Sequence, residues 1–241
     1  MTQSFSTDED LSFLKDNLHE ILEKIGNAAI SSGRKPEDVT LLAVTKTVKP
    51  VYINYLLNEG VAHIGENKVQ ELLSKLEFLN KPLPEMHIIG HLQSNKVRKI
   101  IDIADMIQSV DSISLANEIS RQAQMHEKSM DILLEVNIGA EESKTGLDVH
   151  MLNETAFAVS EMKGINLRGL MCVPPFSADE NETRGYFEKT RHLYEDLASS
   201  LSDRCRFSVL SMGMSGDYET AILEGANLVR VGSALFGARR Y

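Results

Sequence analysis

Eight short apolar runs, rich in β-branched residues, recur along this chain and constrain its fold more than any other feature. They are Val39–Lys46, Val61–Glu66, Met86–His91, Met106–Asp111, Asp131–Asn137, Asn166–Pro174, Arg206–Gly213 and Leu228–Ala234. Segments of helical periodicity lie between them, including Asn67–Phe78, Ser114–His126, Met151–Met162 and Glu182–Leu201. Strands alternating with helices make βαβ units and a parallel sheet. Eight such units in 241 residues predict a closed (β/α)₈ TIM barrel, which typically takes ~250 residues. An open doubly wound sheet stays open as the alternative, because periodicity does not show closure. Ahead of the first strand, Leu11, Leu14, Leu18, Ile21, Leu22, Ile25 and Ala29 recur at helical spacing and predict an extra N-terminal helix. Thr7 is its expected N-cap, Asp8, Glu9 and Asp10 suit its positive end, and Ser31-Ser32-Gly33 should end it. The polar stretch from Pro174-Pro175 to Thr183 reads as one long loop, so residues 1–241 are expected to form a single domain.

Composition narrows the function. The net charge of −10 argues against nucleic acid and anionic lipid, which call for clustered Lys and Arg. No apolar run approaches the ~20 residues of a membrane helix, and the acidic N-terminus is unlike a signal peptide. Two isolated cysteines, Cys172 and Cys205, make neither a disulfide framework nor a zinc site. A reduced, cytoplasmic protein is expected.

In a barrel, chemistry sits at the C-terminal ends of the strands and in the loops beyond them. Lys46 closes the first run, on the face of Val44 and Leu42. Inside a barrel its amine would be partly desolvated, which favours the neutral form that Schiff-base chemistry needs. A strand-end lysine paired with a carboxylate fits the same position. The loops Ser211–Asp217 and Arg230–Gly237 carry glycines and hydroxyls just before helical segments, where barrels frequently bind phosphate. Tight turns alone would explain either loop, and the pairing of two at those places favours a phosphate pocket. Arg230 shares parity with Leu228 and Gly232 and should point inward, where it needs either a carboxylate such as Glu135 or a ligand. An imine-forming lysine, an inward arginine and a phosphate cup together describe a pyridoxal 5′-phosphate (PLP) site.

At this point the sequence resembles the pyridoxal phosphate homeostasis proteins along nearly its whole length. The resemblance rests on the ordered blocks LLAVTKTVKP (Leu41–Pro50), HIGENKVQE (His63–Glu71), HIIGHLQSNK (His87–Lys96), SVDS (Ser109–Ser112) and VNIGAEESKTGL (Val136–Leu147). It continues through RGLMCVPP (Arg168–Pro175), LSMGMSGD (Leu210–Asp217) and VRVGSALFGAR (Val229–Arg239). It implies a PLP barrel similar to the N-terminal domain of alanine racemase. Lys46 would hold the cofactor as a Schiff base and Arg230 would meet the pyridine nitrogen. Ser211, Ser215, Gly232 and Ser233 would hold the phosphate, Asn67 would line the pocket, and Lys144 would stand at its rim or in solvent.

An arginine can only donate, so it should keep the pyridine nitrogen unprotonated and the ring a weak electron sink. Racemases of this fold tolerate that arginine but draw a second base from an appended domain, and the sequence ends at Tyr241 without one. The expectation is therefore a carrier that stores or delivers PLP, with no catalytic residue, no metal and only trace racemase-like turnover. Apo PLP-dependent enzymes are its candidate recipients, and a monomer is expected. A PLP-dependent racemase and a Schiff-base phosphosugar aldolase are the alternatives. His87 and His91 lie roughly 13 Å apart along a strand, too far to share a metal, and read as pocket or core histidines. Glu141-Glu142 reads as a solvated pair and Cys172 as a buried thiol.

Overall fold

The strands follow from apolar runs that are buried on both faces, as parallel strands inside a helical shell must be. The computed structural model describes residues 11–141, 145–177 and 179–237. In it β1 (Thr40–Val44), β2 (His63–Glu66), β3 (Glu85–Ile88), β4 (Met106–Val110), β5 (Met130–Val136), β6 (Ile165–Cys172), β7 (Val209–Ser211) and β8 (Leu228–Val231) pair in sequence order. All pairs are parallel, and β8 returns to β1 through Leu42↔Arg230 and its neighbours. The barrel is closed, which removes the open-sheet alternative.

A helix follows each strand: α2 (Pro50–Asn58), α3 (Val69–Lys75), α4 (Val97–Ile100), α5 (Ile113–Met125), α6 (Val149–Ser160), α7 (Glu180–Ser200), α8 (Tyr218–Leu223) and α9 (Ser233–Phe236). Outward residues such as Ile64, Ile88, Ile107, Ile132 and Val229 pack with the inner faces of the helices into one large core. Inside the ring, Met106, Leu133 and Met171 form a separate small apolar cluster. Buried beside Leu42, Val44 and Leu228 on the inner face are four polar side chains, Gln108, His87, Ser211 and Arg230.

The extra helix is α1 (Ser12–Ser31), which buries Leu14, Leu18, Ile21, Ile25, Ala28 and Ala29. Leu22, expected on the same face, is largely exposed. The helix starts at Ser12 with Leu11 at its N-cap position and no side-chain cap, so Thr7 is not the cap, and Thr7 and the acidic residues Asp8, Glu9 and Asp10 themselves lie outside the described residues. The other end is as expected, with Ser32 closing the helix and Gly33 taking a left-handed φ of 77°. Asn17 Nδ2 donates to the Leu235 carbonyl at 3.0 Å. Just beyond the helix, Arg34 donates to the carbonyls of Ile222 and Ala226, the latter at 2.8 Å. The first helix thus braces the last two βα units at the seam where β8 meets β1. No helix among the described residues is long and apolar enough to cross a membrane.

Candidate functional site

β1 ends at Val44, two residues short of the expected strand end, so Lys46 stands on the following turn. The Thr45 N–H still donates to the Gly65 carbonyl at 2.9 Å, but the Thr45 carbonyl turns to the Val48 N–H at 2.9 Å, and side chains hold that turn. Lys75 Nζ, projecting from α3, donates to the Thr45 carbonyl, to Glu66 Oε1 and to Glu71 Oε1, each at 2.7 Å. Thr45 Oγ1 donates to the same Glu66 oxygen at 2.7 Å. Glu66 is fully buried, and burial pushes its carboxyl above the ordinary glutamate range against the pull of Lys75 and Thr45. Burial also acts to raise Glu71, but Lys75 and the Thr47 N–H outweigh it and hold that carboxyl below the ordinary range.

Thr47 has a φ of 64°, in the left-handed region that a β-branched residue seldom occupies. Its N–H is held by Glu71 and its hydroxyl donates to the Lys46 carbonyl at 2.6 Å. Strain of this kind costs about 1–3 kcal/mol and persists where the surroundings over-determine it. The Lys46 main chain is therefore gripped on both sides. The side chain itself is half-buried above β1.

Arg230 lies beside β1 at the level of Leu42 and is 4% exposed. Its guanidinium donates to Ser211 Oγ at 2.6 Å and to the Cys172 carbonyl at 2.8 Å. Ser211 Oγ in turn donates to Gln108 Oε1 at 2.6 Å, and Gln108 Nε2 meets His87 Nδ1 at 2.7 Å. Because arginine can only donate, each bond in this chain runs from Arg230 toward His87. Burial, with His63 alongside, pushes the His87 imidazole down to about 4. No carboxylate lies within 4.0 Å of the guanidinium among the described residues, so the ion pair with Glu135 offered by the sequence does not form. Glu135 instead accepts from Thr145 Oγ1 at 2.7 Å, and burial raises its carboxyl. The Cys172 thiol is fully buried, which pushes it up to about 11.

The loops after β7 and β8 meet at Ser215. Its Oγ accepts from the N–H groups of Gly232 at 3.1 Å and Ala234 at 3.2 Å. Ser233 next to them is exposed. Gly213 has a φ of 91°, and a Cβ there would lie 2.6 Å from the Ala221 Cβ, so the turn from β7 into this loop requires glycine. Asn67 follows β2 and is half-buried. It is set by Gly90, where an added Cβ would come within 2.7 Å of the Asn67 carbonyl oxygen.

Comparison with known proteins fixes the family. The family model of the alanine racemase N-terminal domain matches residues 13–240. A pyridoxal phosphate homeostasis protein of Aquifex aeolicus is 39% identical over 226 residues, covering 94% of this chain and 98% of that one. Its counterpart in Escherichia coli K12 is 38% identical over 228 residues, covering 93% and 96%. This chain belongs to the pyridoxal phosphate homeostasis protein family. PipY of Synechococcus elongatus, solved with PLP bound, superposes with a TM-score of 0.78 at 34% identity, covering 88% of this chain and all of that one.

In this member of the family, the expected site residues separate into two tiers. Lys46, Asn67, Ser215, Gly232 and Ser233 stand on the loops at the C-terminal mouth of the barrel, on partly buried or exposed positions. Arg230 and Ser211 lie deeper, and the Ser211 hydroxyl is engaged by Arg230 and Gln108 rather than turned to the mouth. Lys144 and Glu142 lie outside the described residues. His87 is a core histidine, whereas His91 is an exposed rim residue whose Nδ1 meets Asp111 at 3.0 Å. Sequence reading missed Gln108 and the Glu66–Lys75–Glu71 cluster. A single amide in the apolar run Met106–Val110, at the same parity as both ends, was the signal for Gln108. The i,i+4 spacing of Glu71 and Lys75 was legible too, but not what it clamps.

Proposed function

We propose that this protein binds PLP through Lys46 and holds it for storage or delivery in vitamin B6 homeostasis, with no efficient turnover of its own. The observation that carries the reading is Arg230, a buried guanidinium with donors only, standing under the mouth that Lys46 overhangs. PLP supplies an aldehyde that condenses with amines, a phosphate anchor, and a ring nitrogen that draws electrons most strongly when protonated.

The residues fit that group. Lys46 offers an amine on a turn fixed by Lys75 and Glu71. Ser215 and Ser233 offer hydroxyls for a phosphate, and the Gly232 N–H orients the first of them by donating to Ser215 Oγ. Asn67 lines the near wall. Arg230, held by Ser211 and by the Cys172 carbonyl, would donate to a ring nitrogen and supplies no proton acceptor. Ser211 therefore acts on the cofactor through Arg230. Binding is retained in such a site while carbanion chemistry is handicapped. We read residues 1–241 as one cofactor-holding unit, working in the cytoplasm and passing PLP to apoenzymes.

The purified protein should take up PLP with a visible absorption band that Lys46→Ala abolishes, and should reactivate an apo PLP-dependent enzyme. Amino-acid racemisation should not rise meaningfully above the Lys46→Ala control. Failure to bind PLP would remove the reading, and rapid Lys46-dependent racemisation would replace it with an enzyme.

A further inference from the structure

The opposite end of the barrel carries a second cluster, joined to the cofactor site only through the hydrogen bond of Gln108 to His87. His63 opens β2, Glu85 opens β3 and His87 follows two residues later, so all three share the inner face at the N-terminal floor. The register pairs His63 directly with Glu85, and Gly65 with His87. His63 Nδ1 lies 3.1 Å from Glu85 Oε2, and His87 Nε2 lies 3.9 Å from the same oxygen. One ligand atom from each residue falls within 4.8 Å of the others. His63 Nδ1 is buried and has no hydrogen-bond partner. A buried nitrogen without a hydrogen bond, beside a carboxylate and a second imidazole, calls for a cation.

We propose that His63, Glu85 and His87 form a binding site for a divalent ion of the zinc class. Two imidazoles and one carboxylate are a donor set that zinc favours, with an outer position left for water. A tetrahedral ion with bonds of ~2.0–2.1 Å sets its ligands roughly 3.3 Å apart, so His63 and Glu85 already stand at the required spacing. Only His87 needs to close. Glu85 is 60% exposed, and a cleft of about 220 Å³ lined by Thr40, Glu59 and His63 opens at His63, giving the ion a route from solvent. Gln108 completes the site from behind. A metal-ligating imidazole donates its other N–H to a neighbouring acceptor. With the ion on His87 Nε2, the ring proton sits on Nδ1 and the Gln108 amide turns over, its oxygen accepting from the ring and its NH₂ donating to Ser211. The two lone pairs of Ser211 Oγ receive Gln108 and Arg230 together.

The test is a zinc chloride titration, by calorimetry, of untagged full-length holoprotein stripped with a chelator. Cobalt(II) serves as a parallel probe, because its ligand-field bands report tetrahedral coordination. One ion per chain is expected, weakened at least ~10-fold in His63→Gln and in Glu85→Gln. Both substitutions lie at or near the surface, and melting temperature and bound-cofactor absorbance should match the parent. Absence of saturable binding, or binding equally tight in both variants, would overturn the proposal and leave His63 and Glu85 as a simple side-chain contact. Because metal is read directly, the result is independent of whether PLP binds at Lys46.

Discussion

Lys75 reaches from α3 across to β1 and donates to the main-chain carbonyl of Thr45, the residue before Lys46, at 2.7 Å. The same ammonium neutralises Glu66 beneath that carbonyl and Glu71 beside it. One cation therefore sets the turn that presents the candidate cofactor lysine. Its position in the fold makes it the most informative residue to remove.

Lys75→Met should cost about 3–5 kcal/mol at neutral pH, because it leaves Glu66 buried without its charge partner. The pH dependence has a definite sign. With its folded-state affinity for a proton raised above that of the unfolded chain, Glu66 contributes stability below the ordinary glutamate range and loses it as pH rises through the raised value. Stability of the variant should then fall from mildly acidic to neutral pH, a slope that Lys75→Met/Glu66→Gln removes. Urea denaturation at several pH values measures it, and a variant with no such slope would show that Glu66 is charged and satisfied without Lys75.

Ser215→Ala removes the acceptor shared by the Gly232 and Ala234 N–H groups and, under the proposed function, a hydroxyl for the phosphate. PLP affinity should fall about tenfold, the equivalent of ~1.4 kcal/mol. Pyridoxal, which lacks the phosphate, should bind the parent and the variant alike. An equal loss for both ligands would place Ser215 away from the phosphate.

Gly213→Ala should destabilise the protein by about 2–4 kcal/mol, combining a left-handed backbone with a collision against Ala221 and Tyr218. The Arg230 main-chain N–H donates to the Gly213 carbonyl at 3.0 Å, so the displaced turn should also disturb Arg230. A thermal melt reads the first effect, and the position of the bound-cofactor absorption reads the second.

The barrel was legible because its physics is local and repetitive. Each of the eight strands overlaps its apolar run, with β3, β5 and β6 starting one residue earlier, and α5 and α6 lie within one or two residues of the segments that helical spacing marked. Inward parity placed Arg230 correctly from nothing more than its spacing to Leu228. What surrounds it was not legible. Ser211 and Gln108 are far apart in sequence and meet only because the sheet closes, while Glu135 has the right parity for an ion pair and finds Thr145 instead. Lys46 was assigned to the strand because its pattern fits one. The clamp that holds the turn after β1 comes from Glu66, Glu71 and Lys75 on later elements, which periodicity within the first run could not announce.

The chain from Arg230 to His87 also has a mechanical meaning. It joins β8, β7, β4 and β3 through side chains that cross the interior, whereas the backbone ladder connects strands only around the circumference. A ring braced by chords resists flattening in a way that a ring alone does not. Cutting the brace at Ser211 or Gln108 would leave every strand paired and still let the cross-section deform, so the height of Arg230 beneath the mouth is set by the rigidity of the whole cylinder.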